Sequence, residues 1–151
     1  MTDRLTLAWP DRSAFAGRDG RPLRLLAVSD EPDGALDHEG SRAAIGPVDL
    51  VVGAGDLDPG YLGYLADAFG APLLYVRGNH DVGEGWDAER AHLPDPMADG
   101  EIHDERGLRL IGFSGSPIYG AHGRADDAQQ VSNIAMWRRV LGAWLRAAGR
   151  R

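Results

Sequence analysis

Apolar residues in this chain come in short runs, each closed by Gly, Asp or Asn. Leu23-Arg24-Leu25-Leu26-Ala27-Val28 ends in Ser29-Asp30, and Val48-Asp49-Leu50-Val51-Val52 ends in Gly53-Ala54-Gly55-Asp56. Leu73-Leu74-Tyr75-Val76 ends in Arg77-Gly78-Asn79-His80-Asp81. Nearly continuous apolar runs bounded by turn residues predict strands buried on both faces. Between the second and third runs, Tyr61, Leu62, Tyr64, Leu65, Ala68 and Phe69 share one face of a helix. Asp58 followed by Pro59 provides that helix with an N-cap and a first-turn proline. Strand, helix and strand within about 30 residues form a βαβ crossover, so the strands are expected to be parallel.

The later half is less regular. Residues 82–100 are rich in Gly, Pro and acids and predict a loop holding one short helix. Glu101-Ile102-His103 and Leu108 to Phe113, joined by Asp104 to Gly107, predict a hairpin. Ile134, Trp137, Val140, Leu141, Trp144, Leu145 and Ala148 recur at helical spacing, so Trp137 and Trp144 are expected in a core stripe. Gly149 and the closing arginines suit the end of that helix. Residues 1–22 form a polar approach in which Leu5, Leu7 and Trp9 suggest a short edge strand. The fold class is α/β, in a single domain spanning residues 1–151.

Composition narrows the chemistry. The chain has 151 residues and no cysteine, which excludes disulfides, thiolate metal sites and cysteine nucleophiles. All 16 basic residues are Arg, so lysine-based chemistry is excluded as well. A net charge of −7 argues against stable nucleic-acid binding and suits attraction of cations. No run approaches a membrane span and the N-terminus does not begin as a signal peptide, so a cytoplasmic protein without membrane contact is expected.

Three successive predicted strands each end in groups suited to metal: Asp30, then Asp56, then Asn79-His80-Asp81. In a parallel sheet the carboxyl ends lie along one edge, where α/β proteins place their sites. Hard oxygen donors suit Mg²⁺, Mn²⁺ or Fe, and a carboxylate bridging two cations supports in-line phosphoryl chemistry. A histidine beside such cations, oriented by its own aspartate, protonates a leaving group or steadies developing charge. His38, His92, His103 and His122 lack partners at suitable spacing and are expected to be structural or solvated.

Gly55-Asp56 followed by Gly78-Asn79-His80-Asp81 resembles the signature of the calcineurin-like metallophosphoesterases. The stretch from Gly107-Leu108-Arg109 to Gly115-Ser116-Pro117 is similar to one found in several bacterial and archaeal members. The resemblance covers residues 23–151 and implies the N-terminal portion of an α/β/β/α sandwich, incomplete at its C-terminus. It implies two divalent cations, of Mn, Fe, Mg, Zn or Ni, held by Asp30, Asp56 and Asn79, with Asp56 bridging. His80 would then meet the substrate phosphate or leaving oxygen, with Asp81 orienting it. The implied reaction is hydrolysis of a phosphomonoester or phosphodiester, including a small-molecule or nucleotide substrate.

Two departures from the family pattern qualify what is carried over. The family's first motif is usually Asp-x-His, whereas this chain reads Asp30-Glu31-Pro32, which leaves Glu31 or Asp33 as candidates to substitute for the absent ligand. The family's later histidine motifs would follow the Trp137–Leu145 helix, and none is present. The alternative expectation is therefore a truncated or degenerate, non-catalytic domain that binds metal weakly or serves in protein interaction. Without its neighbours, the helix stripe would leave apolar surface prone to self-association.

Overall fold

A computed structural model describes residues 5, 6, 17–117 and 130–148. The three predicted strands form, as β1 (Leu25–Val28), β2 (Leu50–Gly53) and β3 (Leu73–Tyr75). They build one parallel sheet in the order β1-β2-β3, with Leu25 opposite Leu50 and Gly53 opposite Tyr75. The chain returns between strands through a 3-10 turn (Gly34–Asp37) with helix α1 (Glu39–Ile45), then through helix α2 (Pro59–Phe69). The class is mixed α/β.

Helix α2 begins where its sequence directs. Asp58 accepts a hydrogen bond from the Tyr61 amide at 3.0 Å, Pro59 fills the first turn, and Gly70 closes the helix in the left-handed conformation. Its Leu62 and Leu65 are buried against Val51, Leu73 and Tyr75, and this cluster is the core. Burial of each such side chain stabilises the fold by about 1.5–3 kcal/mol. Strands β2 and β3 meet the expectation of double-sided burial. β1 does not: Leu25 is 46% exposed, and only Leu26 is buried in this strand.

Beyond β3 come helix α3 (Glu84–Glu89) and a hairpin of β4 (Ile102–Glu105) and β5 (Leu108–Ile111). The hairpin turns on two residues, Arg106 and Gly107, both at positive φ, so Asp104 and Glu105 belong to the strand and not to the predicted connection. Short strands β6 (Ser116–Pro117) and β7 (Gln130–Val131) pair in parallel. Leu5 is not in a strand; Leu7 and Trp9 lie outside the described residues, as do Gly149, Arg150 and Arg151.

Helix α4 (Asn133–Ala148) forms as predicted, but its apolar stripe is not core. Trp137 is 72% and Trp144 62% exposed, and Ile134, Leu141 and Leu145 are exposed with them. The helix docks instead through its small and basic side. Ala143 is buried, Arg139 pairs with Asp99 at 3.0 Å, and Arg146 donates to the Gly100 carbonyl. No helix among the described residues is long and apolar enough to cross a membrane.

Candidate functional site

The carboxyl ends of β1, β2 and β3 continue into loops that remain bonded to one another. Ala54 donates its amide to the Val28 carbonyl (2.8 Å), Asp30 to Gly55 (3.1 Å) and Val76 to Gly53 (3.0 Å). Gly115, just before β6, donates to the Arg77 carbonyl at 2.8 Å. Four segments distant in sequence are thereby brought to one rim.

At that rim lies a cleft of about 510 Å³ lined by Asp30, Glu31, Asp56, Asn79, His80 and Ser116. Its volume falls in the range of small-ligand sites. Asp30, Asp56, Asn79 and His80, expected from sequence to converge, all line it. Asp30 and Asp56 have φ of 64° and 57°, a positive sign shared among the described residues by only two other non-glycine residues, Asp19 and Arg106. A left-handed residue with a Cβ costs of order 1–3 kcal/mol, and such positions cluster at functional sites. At Asp30 the chain turns on three residues, with the Glu31 amide donating to the Ser29 carbonyl at 2.8 Å.

The β2 and β3 loops are held by a reciprocal exchange. The Asp56 amide donates to Asp81 Oδ2 at 2.9 Å, while the His80 amide donates to Asp56 Oδ1 at 2.8 Å. Gly78 donates a second amide to Asp81 Oδ2 at 2.7 Å. Asp81 is 4% exposed; burial pushes its carboxyl above the usual range, the two amides oppose that rise, and the Asp56 charge adds to it. These bonds give Asp81 a task beside the one expected: its Oδ2 fastens backbone on two loops. The His80 side chain stands exposed at the cleft, and Asn79 is buried at 3% exposure.

The two substitute ligands separate. Glu31 lines the cleft. Asp33 is not among the lining residues, and its Oδ1 accepts from the Ala35 amide at 2.9 Å, capping the 3-10 turn. Arg77, next to the motif, is drawn away from the cleft: its guanidinium lies 4.4 Å from the Trp86 ring centroid and pairs with Asp87. His38 and His92 are exposed away from the lining, and His103 sits on β4; His122 lies outside the described residues. Ser116 is the lining residue that spacing arguments missed, because a serine in a Gly-Ser-Pro turn carries no ligand signal.

The donor set suits an oxygen-seeking cation. Three carboxylates and an amide border the cleft with no arginine among them, so an anionic ligand would meet uncompensated negative charge unless cations intervene. Asp56 Oδ1 keeps a lone pair beyond its bond to the His80 amide, and Oδ2 adds further acceptor capacity. Among the described residues, no group of three or more His, Cys, Asp or Glu side chains is placed to hold a metal ion. Mg²⁺ is commonly bound through one or two carboxylates while keeping several waters. Compared with protein-family models, with curated proteins and with solved structures, the chain matches none.

Proposed function

We propose that this protein is a metal-dependent phosphoesterase of the calcineurin-like type, hydrolysing a phosphomonoester or phosphodiester at the β1–β3 rim. One observation carries the reading: Asp30, Asp56 and the Asn79-His80 pair, from the loops after three successive parallel strands, border a single cleft, and Asp30 and Asp56 stand at left-handed φ. On this reading Asp30, Asp56 and Asn79 hold two divalent cations, with Glu31 a further oxygen donor. Bound there, the cations neutralise the carboxylates, attract phosphoryl oxygens and acidify a water for in-line attack. His80 presents its imidazole to the phosphoryl or leaving oxygen, giving or accepting the proton that departure requires. Asp81 is a positioning residue, fixing the backbone of Asp56 and Gly78 so that Asp56 and His80 face one space. On this reading the described sheet is one layer of the α/β/β/α sandwich that the resemblance implies.

The test is hydrolysis of p-nitrophenyl phosphate and bis-p-nitrophenyl phosphate with Mn²⁺, repeated in EDTA and with His80→Ala and Asp56→Asn. Expected are activity that vanishes with chelation and a loss of at least about 100-fold in each variant, the scale of an acid–base or metal-binding contribution. Turnover indifferent to both variants removes the proposal. A second reading, weak metal binding without turnover, draws support from the lack, among the described residues, of three or more His, Cys, Asp or Glu side chains placed to hold a metal ion. Cation binding measurable by calorimetry with no hydrolysis of either ester would select it.

A further inference from the structure

The Ser116 hydroxyl is shielded from solvent and has no hydrogen-bond partner among the described residues, although Ser116 borders the cleft. A buried hydroxyl left unpaired costs about 1–3 kcal/mol, and native structures rarely keep one without a use. Its backbone has little freedom. Gly115 is bonded to the Arg77 carbonyl, one residue before Gly78, and Ser116 itself pairs with Gln130 in the β6–β7 ladder. What remains is rotation about χ1, which carries the hydroxyl between staggered positions. The rest of the lining is dominated by acceptors, the carboxylates of Asp30, Glu31 and Asp56. A neutral O–H donor among them matches one chemical group above others: an anionic, acceptor-rich oxygen centre such as a phosphoryl group.

We propose that Ser116 is a substrate-binding residue of this cleft, donating its hydroxyl to a non-bridging phosphoryl oxygen. The role deepens the phosphoesterase reading and rests on it for the identity of the ligand. It differs from those of Asp30, Asp56 and Asn79, because a serine hydroxyl contacts the anion directly and leaves the cations to the carboxylates. It also differs from that of His80, since a hydroxyl orients the phosphoryl group without titrating near neutrality.

The experiment is calorimetric titration of inorganic phosphate into the full chain with saturating Mg²⁺, for the wild type and for Ser116→Ala, alongside p-nitrophenyl phosphate kinetics. The alanine variant removes an unpaired hydroxyl, so its melting temperature is expected to hold or rise. Its phosphate affinity is expected to fall roughly tenfold or more, the scale of a hydrogen bond to a charged acceptor, with kcat/KM falling in parallel. Equal phosphate affinity in both proteins overturns the inference even where hydrolysis is metal-dependent. Weakened phosphate binding without hydrolysis in either protein upholds Ser116 and removes the phosphoesterase reading instead. A wild-type protein that binds no phosphate overturns the inference, and one that also hydrolyses neither ester overturns both.

Discussion

Gly55 and Gly78 meet backbone to backbone: a Cβ built on Gly55 would stand 2.7 Å from both the Cα and the amide nitrogen of Gly78. The contact joins the β2 loop to the β3 loop at the point where Asp56 and Asn79 diverge into the cleft. Gly55 also has φ of 96°, and a Cβ on Gly78 would collide with the Asp56 carboxylate and amide. Both substitutions to alanine are therefore expected to destabilise by more than the roughly 1–3 kcal/mol of ordinary overpacking, because backbone cannot yield as a side chain does. Gly70→Ala, in open space at the α2 C-cap, is the control for left-handed strain alone. Urea unfolding of the three variants checks the ranking; a Gly55→Ala protein as stable as Gly70→Ala would contradict it.

Asp81 lends itself to a paired test. A single oxygen, Oδ2, receives both the Asp56 and the Gly78 amides, and an asparagine carbonyl oxygen has lone pairs for the same two bonds. Asp81→Asn is expected to stay within about 1 kcal/mol of wild type, whereas Asp81→Ala, stranding two amides, should lose about 2 kcal/mol or more. If Asp81 instead acted by orienting the His80 ring through its charge, the asparagine variant would fold normally yet lose most of its turnover.

Glu31 and Asp33 are expected to differ in kind. Glu31→Gln removes a carboxylate from the cleft and should weaken Mn²⁺ binding several-fold while leaving the melting temperature near wild type. Asp33→Asn should leave cation affinity unchanged, since its carboxylate caps the turn at Gly34 to Asp37, where asparagine caps almost as well. Cation titration by calorimetry distinguishes the two, and the reverse pattern would place Asp33 in the metal site.

The pH dependence of stability is expected to carry a signature from Asp49. Burial pushes its carboxyl up, but the Arg18 hydrogen bond, the Arg24 amide and the Arg18 charge pull it below the usual carboxylate range. A depressed acid contributes stability that is present above its unfolded pKa of about 3.9 and lost as the pH falls through the lower folded value. Asp49→Asn should therefore lower stability at pH 7 and flatten the acid limb of the stability curve below about pH 4. Denaturant midpoints taken from pH 7 down to pH 2 test this; parallel curves for wild type and variant would rule it out.

The exposed face of α4 yields a stability contrast. Replacing Trp137 and Trp144 by serine in dilute solution is expected to change stability by about 0.5 kcal/mol or less per site, as at other exposed positions. Leu65→Ala in the core should cost about 2–5 kcal/mol. Tryptophan variants as costly as Leu65→Ala would mean that something covers this face in solution, and sedimentation at rising concentration would identify self-association.

Legibility in the sequence followed the locality of the physics. Short apolar runs ending in Ser-Asp, Gly-Asp and Gly-Asn-His-Asp were enough to place β1 to β3 and four of the cleft residues, because burial and turn chemistry act within a few positions. The Asp58-Pro59 start of α2 was equally local. Periodicity in α4 located the helix but not its exposed side, since a stripe records amphipathicity and says nothing of what packs on it; Ala143, Arg139 and Arg146 do the docking. The backbone bonds of Asp81 and the place of Ser116 escape sequence reading for a related reason. Their parts depend on which amide or which empty space lies opposite, a relation between loops some 25 to 38 residues apart in the chain.

The reciprocal exchange between Asp56 and the His80–Asp81 segment uses main-chain amides on its donor side. Main-chain donors survive nearly any side-chain replacement at their own positions. The acceptors of the exchange are the Asp56 and Asp81 carboxylates, so Asp56 belongs at once to the frame and to the cleft lining. The Glu31 and Ser116 side chains line the same cleft and take no part in that exchange, which makes them positions where the cleft's preference for a ligand can change while the frame stays fixed.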